Sequence, residues 1–339
     1  MVVLSPVLRF KKEGIYLLTV NNVTKSFKIG GTIINPRRFT AVNGVSLNIP
    51  DEAVVCVVGE SGCGKTTLGK MVSGLVSPTS GNIIADGILL FQAKKRDRDK
   101  AALKVQMVHQ DPFAALNPVH SIREELGMPL THHRIVPRSQ VDDEIERLLR
   151  LTGLDPQSVM DKYPHELSGG QRQRAVIARA LTVRPRYLVA DEAVSMVDVS
   201  SRLIILDLLR DICRKEHIGM LFITHDFGVA RYIAYEGSVM VMYMGKVVEY
   251  GPTEEVIHNP VHPYTRVLLS SIPPLQAGIG FMPDKVLPLS FELPKPNEVA
   301  NGCAFRPRCP LAISSCSTKS PDLTSAVSNG KHLAACHLL

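Results

Sequence analysis

A chain of 339 residues, 45% apolar and 21% charged, is long enough to bury one large core and a smaller second one. Its longest apolar runs, Ala53–Val58 and Ser238–Val248, are strand-length and interrupted, which excludes a bilayer-spanning helix, and the opening Met-Val-Val-Leu-Ser-Pro turns basic at Arg9, Lys11 and Lys12, unlike a secretory signal. A formal charge of +7 invites an acidic neighbour, nucleic acid or an anionic leaflet, but the alternating signs of Lys94–Lys100 suit a solvated surface. A cytoplasmic chain is expected.

From Ile15 to about Gly251, short apolar strands alternate with amphipathic helices, the pattern of an α/β domain. Ala53–Val58 reads as a buried strand that runs into Gly59-Glu-Ser-Gly-Cys-Gly-Lys-Thr66, with a helix expected from Lys65. Glycines let backbone N–H groups turn inward around a phosphate, and a helix N-terminus behind them adds a partial positive charge. Gly59, Gly62 and Gly64 supply the turn, and Ser61, Cys63 and Thr67 line it. Lys65 is expected to reach the β- and γ-phosphates and Thr66 to bind Mg²⁺. Cys63, close to a helix N-terminus, is expected to have a lowered thiol pKa, so that its alkylation blocks the nucleotide.

Gln110 follows the strand Val105–His109 and is a candidate for ligating Mg²⁺ and sensing the γ-phosphate. Between Lys104 and Val183 the strands thin out. Val141–Leu151 carries apolar residues at 141, 145, 148 and 149 and stops at Gly153, which predicts a helix within an inserted helical subdomain. Ser168, Gly169, Gly170 and Gln171 open a further helix through Arg172 and Arg179, a second anion cradle. Simple capping by Ser168 would give the same residues. Since one γ-phosphate needs only one cradle per chain, the second is assigned to a nucleotide held by a partner.

Tyr187–Ala190 and Met220–Ile223 are two more buried strands. Asp191 ends the first and suits Mg²⁺; Glu192 beside it is placed to act as general base on water. His225 ends the second and is expected at the γ-phosphate. In parallel sheets such polar strand ends converge on one site. Ser238–Tyr243 and Lys246–Tyr250, split by Gly245, read as a hairpin. Residues 272–300 are proline-rich, an extended linker, and Cys303, Cys309, Cys316 and Cys336 follow it. In a reducing compartment such a group points to a metal or iron–sulfur site rather than disulfides, with zinc (His332 and His337 as further ligands) or plain thiols as alternatives.

Taken together, these motifs resemble the ATP-binding subunit of ABC transporters over roughly residues 15 to 255. Leu167-Ser-Gly-Gly-Gln171 is similar to that family's signature, Gly59–Thr66 to its Walker A motif, Leu188–Asp191 with Glu192 to its Walker B region, Gln110 to its Q-loop and His225 to its switch histidine. The resemblance also places Phe27 against adenine and Asp198 at a dimer seam. Gln110–Pro118, Asn259–Leu269 and Gly302–Pro310 resemble the oligopeptide/dipeptide importer branch, which implies a [4Fe–4S] cluster at Cys303, Cys309, Cys316 and Cys336.

The expected fold is α/β: a P-loop ABC-type nucleotide-binding domain over 1–255, with a mixed sheet core and a helical subdomain at about 104–183, plus a small cysteine-containing extension over 256–339. The implied cofactors are ATP and Mg²⁺. The implied partners are a second ATPase subunit (a copy or a sister), two transmembrane permease subunits and an extracellular solute-binding protein, with the chain peripheral on the cytoplasmic face of the membrane and no nucleic acid bound. Relatives that carry oligosaccharides or nickel chelates give an alternative cargo. A soluble ABC-type ATPase acting on ribosomes or DNA is the rival, but it would bring a second cassette or a coiled-coil insertion, and neither is visible. One departure stands out: Glu192 is followed by Ala193-Val-Ser-Met-Val-Asp198 where the family usually has Pro-Ser-Ala-Leu-Asp, which leaves open how the bulkier Met196 and Val197 pack and how the two sites couple.

Overall fold

The computed structural model describes residues 17–31, 36–270, 287–290, 292, 294, 301–326 and 330–339, with the backbone alone at 17, 31, 36, 37, 199 and 200. Most of the proline-rich stretch 272–300 lies outside the described residues.

β1 (Leu17–Gly31) and β2 (Pro36–Pro50) pair antiparallel, with Leu18 opposite Ile49 and Val20 opposite Leu47. This long pair departs from the strand–helix alternation expected from Ile15 onward. Register shifts between Val20 and Val23 and between Val23 and Lys25 break the period of two, so the buried residues Leu18, Val20 and Val23 do not read as one strand face. β3 (Val54–Val58) follows, then the glycine loop and α1 (Lys65–Val72). β4 (Ser80–Ala85) and β5 (Ile88–Leu89) complete a sheet of order β2-β1-β4-β5. The charged run lies largely on α2 (Lys95–Lys104), an exposed helix that leads into β6 (Val105–Val108).

Only helices separate β6 from β7 (Tyr187–Asp191): α3 (Pro112–Ala115), α4 (Ile122–His132), α5 (Val141–Leu151), α6 (Pro156–Val159) and α7 (Gly169–Leu181), with single 3-10 turns between them. α5 buries Ile145, Leu148 and Leu149 along the stripe that its sequence spacing predicts, and Gly153, at φ +66°, turns the chain beyond its end. α8 (Val199–Lys215), β8 (Gly219–Thr224), α9 (Phe227–Ile233), β9 (Ser238–Tyr243) and β10 (Lys246–Pro252) come next. β9 and β10 form the expected hairpin, turned at Met244 and Gly245. α10 (Thr253–His258) and α11 (Pro263–Ser270) precede a C-terminal segment with a short helix, Ser315–Thr318, and the strands β11 (Thr324–Ser325) and β12 (Leu333–Ala334).

The larger sheet has order β11-β12-β10-β9-β3-β8-β7-β6. It is parallel from β9 through β3, β8 and β7 to β6, and antiparallel at the β10, β12 and β11 end. Both faces are covered, which is why β3, β7 and β8 are continuous apolar runs. Cys56 and Val58 face a core shared with α5, α7 and α8, while Val55 and Val57 face a second core shared with α1 and the smaller sheet. α1 is therefore held between the two sheets, and its N-terminus is fixed at the carboxyl edge of β3.

Candidate active site

Close packing dictates glycine at two positions of the loop after β3. A Cβ on Gly59 would lie 2.2 Å from the Met242 carbonyl oxygen, and one on Gly64, which has φ +106°, would lie 2.1 Å from that of Ala41. Gly64 is the N-cap of α1 and places no side chain over the helix's first N–H groups. Lys65 is buried, and its Nζ donates to the carbonyl oxygens of Gly59 at 2.6 Å and Glu60 at 3.0 Å. Ser61 and Thr66 are exposed and Thr67 half-buried at the same edge.

Thr66 Oγ1 donates to Asp191 Oδ1 at 3.1 Å, which joins the start of α1 to the end of β7. Burial pushes the Asp191 carboxyl above the usual range, and the Thr66 bond pulls against it. Glu192 has φ +47°, and its N–H donates to the Ile223 carbonyl at 2.9 Å, so the strained residue is latched to β8. Its carboxylate is shared: Gln110 Nε2 donates to Oε2 at 2.9 Å, and His225 Nδ1 lies 3.3 Å from Oε1. Asp226 caps α9 through Gly228 N–H at 2.7 Å and fixes the turn that carries His225. The structure thus brings Lys65, Thr66, Gln110, Asp191, Glu192 and His225 to the carboxyl ends of adjacent strands.

It does not bring the second cradle there. Among the described residues, no hydrogen bond or ion pair joins Ser168–Gln171 to that group. Ser168 instead forms a capping box on α7: its Oγ accepts from Gln171 N–H at 3.2 Å, and its own N–H donates to Gln171 Oε1 at 3.0 Å. Gly169 has open space where a Cβ would be, and Gly170 faces Ser201. α7 also straps the segment after Gln110. The Arg172 guanidinium lies 3.7 Å from the Phe113 ring centroid, and Arg179 donates to the Ala115 carbonyl. Phe27 is partly exposed opposite Phe39, with Lys25 Nζ 5.3 Å from its ring centroid. Asp198 caps α8 through Ser201 N–H at 3.0 Å. At the departure after Glu192, Val197 is buried in the core and Met196 points outward.

Two expectations are corrected. The Cys63 thiol is buried, and desolvation raises its pKa despite the nearby Lys65 ammonium and the helix N-terminus. The residue is therefore a poor nucleophile. His332 and His337 are engaged elsewhere: His332 Nε2 lies 2.7 Å from Glu249 Oε1, and His337 Nε2 lies 2.8 Å from the Lys319 carbonyl oxygen. Cys303, Cys309, Cys316 and Cys336 lie near enough for their charges to act on one another, as four thiol donors for a cluster would. Yet among the described residues no group of His, Cys, Asp or Glu is drawn together tightly enough to hold a metal ion.

Sequence reasoning missed Glu60, Tyr264 and Arg308. Glu60 N–H donates to Tyr264 Oη at 2.9 Å, and its carboxylate accepts from Arg308 Nη1 at 2.7 Å and Nη2 at 2.8 Å. No local signal links residues 248 positions apart.

Residues 42–195 match the ABC transporter family and residues 248–316 match the oligopeptide/dipeptide transporter C-terminal region. The chain is 38% identical to the probable peptide ABC transporter ATP-binding protein y4tS of Sinorhizobium fredii, over 95% of this chain and 90% of that one. It is also 38% identical to the oligopeptide transport ATP-binding protein AppF of Bacillus subtilis, over 95% and 97%. In structure it is similar to the dimeric, post-hydrolysis ATP-binding cassette MJ0796 bound to ADP and Pi, with a TM-score of 0.61, 27% identity, and coverage of 70% of this chain and 98% of that one. The fold is the ABC-type nucleotide-binding α/β fold with a mixed sheet. Among the described residues no helix is long and apolar enough to cross a membrane.

Proposed function

Because this chain belongs to the ATP-binding subunits of oligopeptide/dipeptide ABC transporters, we propose that it hydrolyses ATP at the loop Gly59–Thr66 to drive the import of short peptides. The observation that carries the reading is the Glu192 carboxylate, held between Gln110 and His225 and adjoining the Thr66–Asp191 bond. Lys65 exchanges the Gly59 and Glu60 carbonyls for the β- and γ-phosphates. The oxygens of Thr66 and Asp191, with the Gln110 amide oxygen, are hard donors that suit Mg²⁺. When bound, Mg²⁺ neutralises charge on the β- and γ-phosphates. Glu192 takes the proton of the attacking water, and Gln110 and His225 hold its carboxylate in line. Phe27 stacks on adenine.

Ser168, Gly169, Gly170 and Gln171 serve the nucleotide of a second ATPase subunit, a copy or a sister, and Asp198 lies at the seam. The open space at Gly169, at the N-terminus of α7, supports that assignment. Gln110–Pro118, with Phe113 exposed on it, passes the motion to two permease subunits at the cytoplasmic face of the membrane, and an extracellular solute-binding protein delivers the peptide. Residues 1–255 form the ATPase domain and 256–339 the extension. The donor chemistry of Cys303, Cys309, Cys316 and Cys336 suits a [4Fe–4S] cluster, although the thiols are not gathered as ligands would be, so no step is assigned to one; iron and sulfide assays on anaerobically purified protein test it. For the ATPase, Glu192→Gln should abolish hydrolysis at this subunit's own site and leave ATP binding intact. Normal turnover at that site, with the partner's site disabled, would exclude Glu192 as the base.

A further inference from the structure

The geometry points to Arg308, in the C-terminal segment, as a positioning residue for the phosphate loop that acts through Glu60; the inference rests on the nucleotide-site reading and deepens it. Arg308 is 2% exposed. Its guanidinium grips the Glu60 carboxylate with both terminal nitrogens, at 2.7 Å and 2.8 Å. Its Nε donates to the Ser290 carbonyl at 2.9 Å, and Nη1 lies 3.4 Å from Tyr243 Oη. This two-pronged, charge-assisted contact fixes direction as well as distance. Solvent screens it little on the Arg308 side, and removing Glu60 leaves the buried guanidinium uncompensated, whereas Glu60 itself is partly exposed.

Glu60 is held at its backbone too, by Tyr264 Oη. Both restraints come from beyond β10, from α11 and the C-terminal segment. On the other side, the Glu60 carbonyl accepts from Lys65 Nζ at 3.0 Å and from Cys63 N–H at 3.3 Å. Arg308 therefore fixes the residue whose carbonyl holds the phosphate-seeking lysine and starts the turn that aims the loop amides. A loop with Gly59, Gly62 and Gly64 has wide backbone freedom. Pinning its second residue removes freedom that nucleotide binding would otherwise have to remove.

The test is calorimetric titration of the full-length chain with ATP and Mg²⁺, alongside melting without nucleotide. Arg308→Ala should weaken ATP binding about tenfold, Glu60→Gln by a similar factor, and the double variant no further, since both remove one contact. Arg308→Lys, which keeps the charge and loses the fork, should fall between Arg308→Ala and the unmodified chain, and it carries the measurement if Arg308→Ala does not fold. Unchanged ATP affinity in the folded Arg308 variants, with only a lower melting temperature, would overturn the inference, as would losses that multiply in the double variant. If the unmodified chain fails to bind ATP, the nucleotide-site reading falls as well; if it binds and the variants match it, only the role of Arg308 falls.

Discussion

Glu249 offers a direct measure of what fastens the C-terminal segment to the sheet. It is fully buried on β10. Its Oε1 accepts from Val261 N–H at 2.8 Å and lies 2.7 Å from His332 Nε2, while its Oε2 accepts from His262 N–H at 2.9 Å. Glu249→Ala strips the acceptor from all of these groups. Each of the three stranded donors costs about 1–3 kcal/mol, so a loss of about 4 kcal/mol is expected once relaxation is allowed for. At about 2 °C per kcal/mol, the low end for large domains, the melting temperature should fall by about 8 °C. Glu249→Gln retains one oxygen acceptor and should lose roughly half as much. Hydrogen exchange locates the effect: the amides of Val261 and His262 should lose protection first. A Glu249→Ala protein that melts within about one degree of the parent and keeps those amides protected would refute the reasoning.

Cys63 should resist iodoacetamide in the native chain, with labelling rising as the pH climbs past the ordinary thiol value of 9.0; mass spectrometry showing Cys63 alkylated as fast as the partly exposed Cys303 and Cys336 would contradict its burial. His262 has its pKa pushed from 6.5 down to about 3 by burial, and its Nδ1 accepts from Tyr264 N–H at 3.1 Å. The unfolded chain takes up this proton near 6.5 and the folded chain only near 3, so stability should decline as pH falls through that window, by about 1.4 kcal/mol per unit from this group. His262→Gln should remove one proton from that slope, and urea midpoints across the window would show whether it does.

The phosphate loop was legible because its determinants are local: an apolar strand, glycines, then Lys65 and Thr66. So were the strand ends at Asp191 and His225, since a buried parallel strand is a plain apolar run. β1 and β2 were not, because their bulges shift buried residues off any simple period. At Cys63 sequence position suggested a helix N-terminus, and burial, invisible in the sequence, outweighed it. The signature at Ser168 was visible, but the capping box there satisfies the same atoms by itself. Glu60 with Arg308, and Glu249 with His332, lay beyond reach because the partners meet only once the chain has folded across itself.

The Arg308–Glu60 contact also bears on biosynthesis. The ribosome delivers Glu60 early and Arg308 248 residues later. An interrupted translation product that stops short of Arg308 carries the complete nucleotide motif without its brace. A later-made part of the polypeptide thus finishes a motif encoded well upstream of it.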